Sequence, residues 1–152
     1  MIIGISFHTY EKIKVVLKTV LSLLPDNCKY FDVAGYWILS FGNGLNEQVY
    51  TLKDIRNAIE NLTDNESAES FDIFAATDKE IFNGKHPETM VKYLAMDYLL
   101  AFCCYDGCNF ELYLKDEKKI LSIAKTLKNS MICQGTIVYI DQKTNQRKLF
   151  CT

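Results

Sequence analysis

Two histidines and six cysteines are the residues of this 152-residue chain that could most directly carry metal-binding or nucleophilic chemistry. Three of the cysteines form a cluster, Cys103, Cys104 and Cys108, whose spacing is not that of a Cys-x-x-Cys metal knuckle. If a two-residue Asp106-Gly107 turn joins the flanking strands, Cys104 opposes Asn109, whereas Cys103 and Cys108 share the other face. Three thiolates then do not converge on one ion. We therefore expect reduced, core-packed thiols and no metal or other cofactor.

A cysteine nucleophile needs a histidine base close to it in space. His8 follows the first predicted strand, at a place where active sites often gather in sheets, and His86 stands in a loop before Pro87. Either could meet a cysteine, so a small Cys/His-dependent enzyme is an alternative function. Gly42-Asn43-Gly44 lacks the third glycine and the Lys-Ser/Thr pair of a phosphate loop, and is typical of a hairpin turn.

Three amphipathic helices must position these residues, and each has a start signal. Thr9 is the predicted cap of a helix that runs to about Leu24, where Pro25 ends it. Thr51, with Asp54 three residues later, resembles a capping box for a helix to about Leu62. Further predicted helices are a short one at 88–94, with Pro87 in its first turn, and one capped by Asp116 that runs to about 131.

Short apolar segments between the helices predict strands, and tight turns join several of them. The predicted strands lie at 2–7, 30–33, 35–41, 48–50, 71–76, 97–105, 108–114, 136–141 and 146–151. Consecutive strands joined by tight turns must be antiparallel, and helices between strand groups are expected to cover one face. The prediction is therefore an α+β fold, a mainly antiparallel sheet with about three helices packed on it, in a single domain over 1–152.

Composition and the chain start narrow the compartment. The chain is 49% hydrophobic and 24% charged, which is typical of a globular domain and excludes a disordered or collagen-like chain. The first residues lack the basic start and apolar core of a signal peptide, and the longest apolar run is too short to cross a membrane. We expect a cytoplasmic protein with free thiols that does not bind membranes.

Charge is unevenly distributed along the chain although the net charge is only −2. Segment 60–80 holds seven acids and one lysine, whereas segment 115–152 holds eight bases and three acids. An acidic cluster can face a basic partner, and it can equally be a solvated loop. The acids of the first segment are the candidate partner-binding residues Glu60, Asp64, Glu66, Glu69, Asp72, Asp78 and Glu80.

The basic segment could in principle touch nucleic acid. It lacks the interleaved aromatic side chains on which bases stack, so we expect solvated lysines and no nucleic-acid partner. The candidate residues are seven of its eight bases, Lys118, Lys119, Lys125, Lys128, Lys143, Arg147 and Lys148.

The pattern of elements resembles two groups of proteins. Gly4–Phe7, Ile73–Ala75, the hairpin over Tyr98–Leu114 and the helix start at Lys115 are similar to a family of small uncharacterised bacterial proteins, which implies no activity. Size, acidic patch and the lack of catalytic motifs resemble the immunity proteins of bacterial toxin systems, including contact-dependent inhibition. That resemblance implies a non-enzymatic inhibitor whose partner is a toxin with a basic surface, often a nuclease, and it assigns no residue.

The leading prediction is therefore an immunity protein that blocks a cognate toxin through its acidic segment. The alternatives are the Cys/His-dependent enzyme and a regulatory module that uses the C-terminal lysines. Neither the partner nor the oligomeric state follows from these residues.

Overall fold

The computed structural model describes residues 1–34, 49–64, 70–82 and 87–143. Because apolar residues alternate or repeat every three to four positions in these ranges, strands and amphipathic helices form in turn. The elements are β1 (Ile2–His8), α1 (Ile13–Ser22), β2 (Tyr30–Ala34), β3 (Tyr50–Thr51), α2 (Leu52–Glu60), β4 (Phe71–Ala76), a 3₁₀ turn (Lys79–Ile81), α3 (Met90–Ala95), β5 (Leu100–Cys104), β6 (Asn109–Leu114), α4 (Glu117–Asn129) and β7 (Gln134–Asp141).

The seven described strands form one sheet in the order β3-β2-β4-β5-β6-β1-β7. Every recorded pairing is antiparallel, from the two-residue edge strand β3 to the pair of β1 with β7. The predicted α+β class, a mainly antiparallel sheet with helices packed on it, is confirmed.

One face of the sheet, which we call the helical face, is covered by α1, α2 and α4. Alternate residues of the central strands point into this layer, as Phe71, Phe102 and Leu112 do, and they meet the apolar stripes of the three helices. Phe102 stacks on Phe110 with ring centroids 5.5 Å apart, and Phe7 stacks on the other side of Phe110 at the same distance. This layer is the main core.

The opposite face is also partly covered, so the expectation that the helices lie on one face is wrong for α3. Met90 and Tyr93 of α3 pack against Phe74, Tyr98 and other alternate residues of the same strands. The helix α3, which precedes β5 in the chain, packs on this face. There it covers a second, smaller core that is rich in aromatic side chains. We call this the second face.

The predicted helix starts are right where a side chain caps the helix. Thr51 and Asp54 form the capping box, with Thr51 Oγ1 3.2 Å from the Asp54 amide and the Thr51 amide 2.9 Å from Asp54 Oδ2. Asp116 accepts from the Lys119 amide at 3.1 Å and caps α4. Thr9 does not cap α1, because its hydroxyl accepts from the amide of Glu11.

Two helices begin later than predicted. The first helical residue of α1 is Ile13, after Lys12, whose side chain makes no capping bond. For α3 the cap is Thr89, which accepts from the Lys92 amide at 3.3 Å, so Pro87 precedes the helix instead of lying in its first turn. A hydroxyl can satisfy an open helix amide, and this places the start of α3 at Thr89.

The β5–β6 hairpin has a three-residue loop, and its register differs by one residue from the predicted one. Tyr105 donates its amide to the carbonyl of Asn109 at 3.0 Å, and Cys104 opposes Phe110 instead of Asn109. The carboxylate of Asp106 accepts from the amides of Cys108 and Asn109, which stabilises the wider loop. Gly107 lies in this loop with φ of 81°, a conformation that glycine adopts without strain.

The predicted Gly35–Phe41 strand, the Gly42-Asn43-Gly44 turn and the strand at 146–151 lie outside the described residues. Within the described ranges no helix is both long enough and apolar enough to cross a lipid bilayer.

Gly4 is required by close packing between β1 and β6, and this gives a first prediction. A Cβ atom at Gly4 would lie 2.6 Å from Cδ1 of Tyr113 and 2.9 Å from the carbonyl oxygen of Leu112. We expect Gly4→Ala to lower the free energy of unfolding by about 1–3 kcal/mol, as overpacked cores do, measured by urea denaturation. Ser6→Ala, on the same strand and the same face, is the control and should change little. Equal stability of Gly4→Ala and the parent would contradict the close packing.

Candidate functional site

A cleft of about 640 Å³ opens at one end of the sheet, where β4 ends and β5 begins. Ala75 pairs with Leu100, so the residues after β4 and the residues before β5 leave the sheet side by side. The Leu99 amide donates to the Ala75 carbonyl at 2.9 Å and holds the two segments together. The cleft is lined by Asp78, Glu80, Ile81, Ala95, Met96 and Asp97.

Three carboxylates and three apolar side chains share this lining. Asp78, Glu80 and Asp97 are exposed. Among the described residues the ion pairs join Met1 with Asp141, Lys18 with Glu60 and Lys92 with Glu88, and none of them involves a cleft carboxylate. A lining that combines carboxylates with apolar side chains suits a cation on an aliphatic stem, because the stem can pack while the charge is paired.

Segment 60–80, predicted as one acidic patch, is divided by the fold into separate places. Asp78 and Glu80 line the cleft, and Asp64 is exposed before β4. Because β4 has six residues and spans about 17–20 Å, it separates the acids on either side of it along the chain. Glu66 and Glu69 lie outside the described residues, so their role stays a prediction.

Glu60 is occupied within the protein. Its carboxylate lies 2.8 Å from Nζ of Lys18, and this hydrogen bond lowers the pKa of Glu60. Its carbonyl, together with that of Leu62, accepts from Nζ of Lys14 at 3.0 Å. These bonds tie the end of α2 to α1, so Glu60 has a structural role in addition to its charge.

Asp72 is buried on the second face of the sheet, only 1% exposed, and so is not on the surface where a partner could contact it. It opposes Cys103, and Cys103 in turn opposes Glu111, which is 4% exposed. Tyr105 donates its hydroxyl to Glu111 Oε2 at 3.0 Å, and Tyr113 donates to the same oxygen. A buried carboxylate is tolerated when hydroxyl donors satisfy it in this way.

Sequence reasoning missed this buried network, although a signal was present. Asp72 and Glu111 are acids inside otherwise apolar strands, in Phe-Asp-Ile and Phe-Glu-Leu. A charged residue at a buried strand position requires polar partners on the same face of neighbouring strands. The partners could not be named without the strand order.

His8 belongs to a chain of hydrogen bonds at the β5–β6 hairpin tip. Asn109 donates Nδ2 to Asp106 Oδ2 at 2.7 Å, so its Oδ1 is left to accept from Nδ1 of His8 at 2.8 Å. His8 Nδ1 is therefore the donor in this hydrogen bond. Tyr10, 78% exposed, packs edge-on against the ring at 4.7 Å. His86 lies outside the described residues.

Cys108 lies beside these hydrogen bonds, and its thiol contacts the carboxylate of Asp106. Its sulfur donates to Asp106 Oδ1 at 3.3 Å, and Asn109 Nδ2 lies 3.8 Å from the same sulfur. Desolvation and the hydrogen bond to Asp106 raise the pKa of Cys108. The thiol form is favoured, which is the opposite of what a nucleophile needs.

The other two clustered cysteines are buried on opposite faces, as predicted for Cys103 and Cys104. Cys104 accepts from the Gly107 amide at 3.3 Å, and burial raises its pKa to about 12. The predicted sharing of one face by Cys103 and Cys108 is wrong, because Cys108 belongs to the wider loop. No three His, Cys, Asp or Glu side chains in the described ranges are placed to share a metal ion.

Of the predicted basic residues that the structure describes, all except Lys143 lie on α4. Lys118, Lys125 and Lys128 are exposed on α4, and Lys119 is half-buried. Lys143 is exposed after β7, and Arg147 and Lys148 lie outside the described residues. None of the described lysines of this set belongs to a recorded ion pair.

Neither protein-family models, nor curated proteins, nor solved structures match the chain.

The buried tyrosines predict how the fold responds to alkali. Burial raises the pKa of Tyr93, Tyr105 and Tyr113 far above the usual value, and that of Tyr98 to about 12. The nearby carboxylate of Glu111 raises the pKa of Tyr105 and Tyr113 further. Because the folded pKa values exceed the unfolded value near ~10, their contribution to stability is complete below that pH and is lost as the pH rises above it.

Absorbance at 295 nm should therefore rise in two phases on alkaline titration. The late phase should coincide with loss of the fold, whereas in urea all nine tyrosines should titrate together near pH ~10. Tyr105→Phe should reduce the late phase only. A single phase near pH ~10 in the folded protein would contradict the burial of these hydroxyls.

Proposed function

We propose that the protein is a non-enzymatic inhibitor, an immunity protein that neutralises a cognate bacterial toxin by binding its basic surface. The observation that carries the proposal is the cleft in which the carboxylates of Asp78, Glu80 and Asp97 share the lining with apolar side chains. In this proposal a lysine or arginine of the toxin enters the cleft. Its charge meets the carboxylates, and its aliphatic stem packs on Ile81 and Met96.

The electrostatics of the cleft favour fast capture of a cationic partner. The three carboxylates are exposed and belong to none of the ion pairs among the described residues, so their field reaches into solvent. Charges at an exposed rim act mainly on the association rate and on its salt dependence. Such a surface suits an inhibitor that must reach its toxin before damage is done.

Only two of the predicted partner-binding acids, Asp78 and Glu80, line the cleft. Asp72 is buried and so is not offered to a partner, whereas Glu60 is exposed but already paired with Lys18. Asp97, which the charge count of segment 60–80 did not include, takes their place at the cleft. The partner-binding set proposed here is Asp78, Glu80 and Asp97, whereas the roles of Asp64, Glu66 and Glu69 stay predictions.

Neutralising the cleft carboxylates tests the proposal. We expect Asp78→Asn with Glu80→Gln to slow association with the toxin at least tenfold at low salt, because the steering field is lost. The difference should shrink as salt is raised. The toxin is sought in the reading frame next to this gene, and the association rate is measured with the purified toxin domain by stopped flow or biosensor.

The matched control changes net charge equally at another place. Glu11→Gln with Asp26→Asn also removes two negative charges, but these exposed residues lie outside the cleft. Its association rate should stay within about twofold of the parent. Equal loss in both double variants would show that only net charge matters, and no loss in either would remove the cleft from the binding surface.

The Cys/His-dependent enzyme is a second candidate because Cys108 adjoins the residue that orients His8. The contact of its thiol with Asp106 weighs against it. We expect iodoacetamide to alkylate Cys108 more slowly at pH 7 than a cysteine in a short peptide, and Asp106→Asn to raise that rate, by mass spectrometry. Alkylation faster than in the peptide would favour the enzyme instead.

A further inference from the structure

Lys115 contacts a residue of the acidic cleft, Met96, but its own side chain does not line the cleft. It follows β6, whose last residue Leu114 pairs with Leu100, so it stands at the same end of the sheet as the cleft. Its Nζ donates to the carbonyl of Met96 and lies 5.3 Å from the centroid of the Tyr93 ring. The ammonium is thus held between α3 and the start of β5.

The wall that Lys115 touches is the corner between α3 and β5. Met96 ends α3, a helix of only six residues, and its amide donates back to Lys92 and Tyr93. Met96 and the next residue, Asp97, both line the cleft. A helix this short is stabilised mainly by packing. A charged hydrogen bond to the carbonyl of Met96, the residue that caps its C-terminus, therefore helps to restrain the Met96–Asp97 corner.

The surroundings of the ammonium agree with a positioning role. Burial lowers the pKa of Lys115, and the carboxylate of Asp97 offsets part of that effect. A lysine stem that is half-buried beside an aromatic ring is packed, not free to follow a ligand. The same carboxylate is one of the three that the cleft presents.

We propose that Lys115 is the positioning residue of the cleft, which holds the Met96–Asp97 corner in the geometry that binds a cationic side chain. The inference rests on the proposed function, because it concerns the same cleft. The change in cation affinity expected on removing Lys115 is opposite in sign to the change expected from charge alone. Removing a positive charge that interacts with the carboxylate of Asp97 should tighten cation binding if charge alone matters, and weaken it if position matters.

The experiment uses the full chain, a fluorescein-labelled hexa-arginine peptide as the probe, and hydrogen exchange of the amides in 90–98. We expect Lys115→Met to weaken the peptide about fivefold, the equivalent of one hydrogen bond, and to speed exchange at the corner. Lys115→Arg should restore both. Lys92→Met, which removes a lysine from α3 that pairs with Glu88 at 2.7 Å, is the control and should leave binding within twofold.

The outcomes separate the two proposals. Tighter peptide binding by Lys115→Met, or unchanged exchange at the corner, would overturn the positioning role and leave the cleft intact as a binding site. If the parent protein binds the peptide no better than Asp78→Asn with Glu80→Gln, the cationic cleft of the proposed function fails, and Lys115 has no binding geometry to hold. Faster exchange throughout the sheet in Lys115→Met would mean general destabilisation and would also overturn it.

Discussion

Burial of one antiparallel sheet on both faces is the constraint from which the other features of this protein follow. The central strands β4, β5 and β6 send alternate side chains into two cores, and scarcely any position of these strands is open to water. A polar residue at such a position must therefore be satisfied inside the sheet. Glu111 is satisfied by two tyrosine hydroxyls, and Gly4 is small because the Tyr113 ring lies against it.

The same constraint sends exposed charge to the ends of the strands. Acids that belong to β4 or β6 are taken into the interior, whereas Asp78, Glu80 and Asp97 lie just beyond strands and stay exposed. The strands β4 and β5 are antiparallel neighbours, so the residues that follow β4 lie next to the residues that precede β5. An acidic cleft results from three residues that are as far apart as 19 positions in the chain.

Local patterns predicted the elements well because each depends on near neighbours. The capping box at Thr51 and Asp54 and the apolar stripe of α4 repeat over a few residues, and both are confirmed. The hairpin register was wrong by one residue, because Asp106 accepts two loop amides and makes a three-residue loop more stable than the two-residue turn that Asp-Gly suggests. The start of α1 was wrong because Thr9 bonds to Glu11 instead of to a helix amide.

The site required strand order, which no local pattern carries. A run of acids in the chain predicts an acidic surface only if the run is one loop, and here β4 passes through it and buries Asp72. Asp97 escaped notice because it stands far from that run in the chain and beside it in space. Charge counted along the chain thus identified the sign of the surface and two of the cleft carboxylates, Asp78 and Glu80, but not Asp97. The membership follows from which strand ends are adjacent, and in this sheet the adjacent ends also bring Lys115 to the wall that it holds.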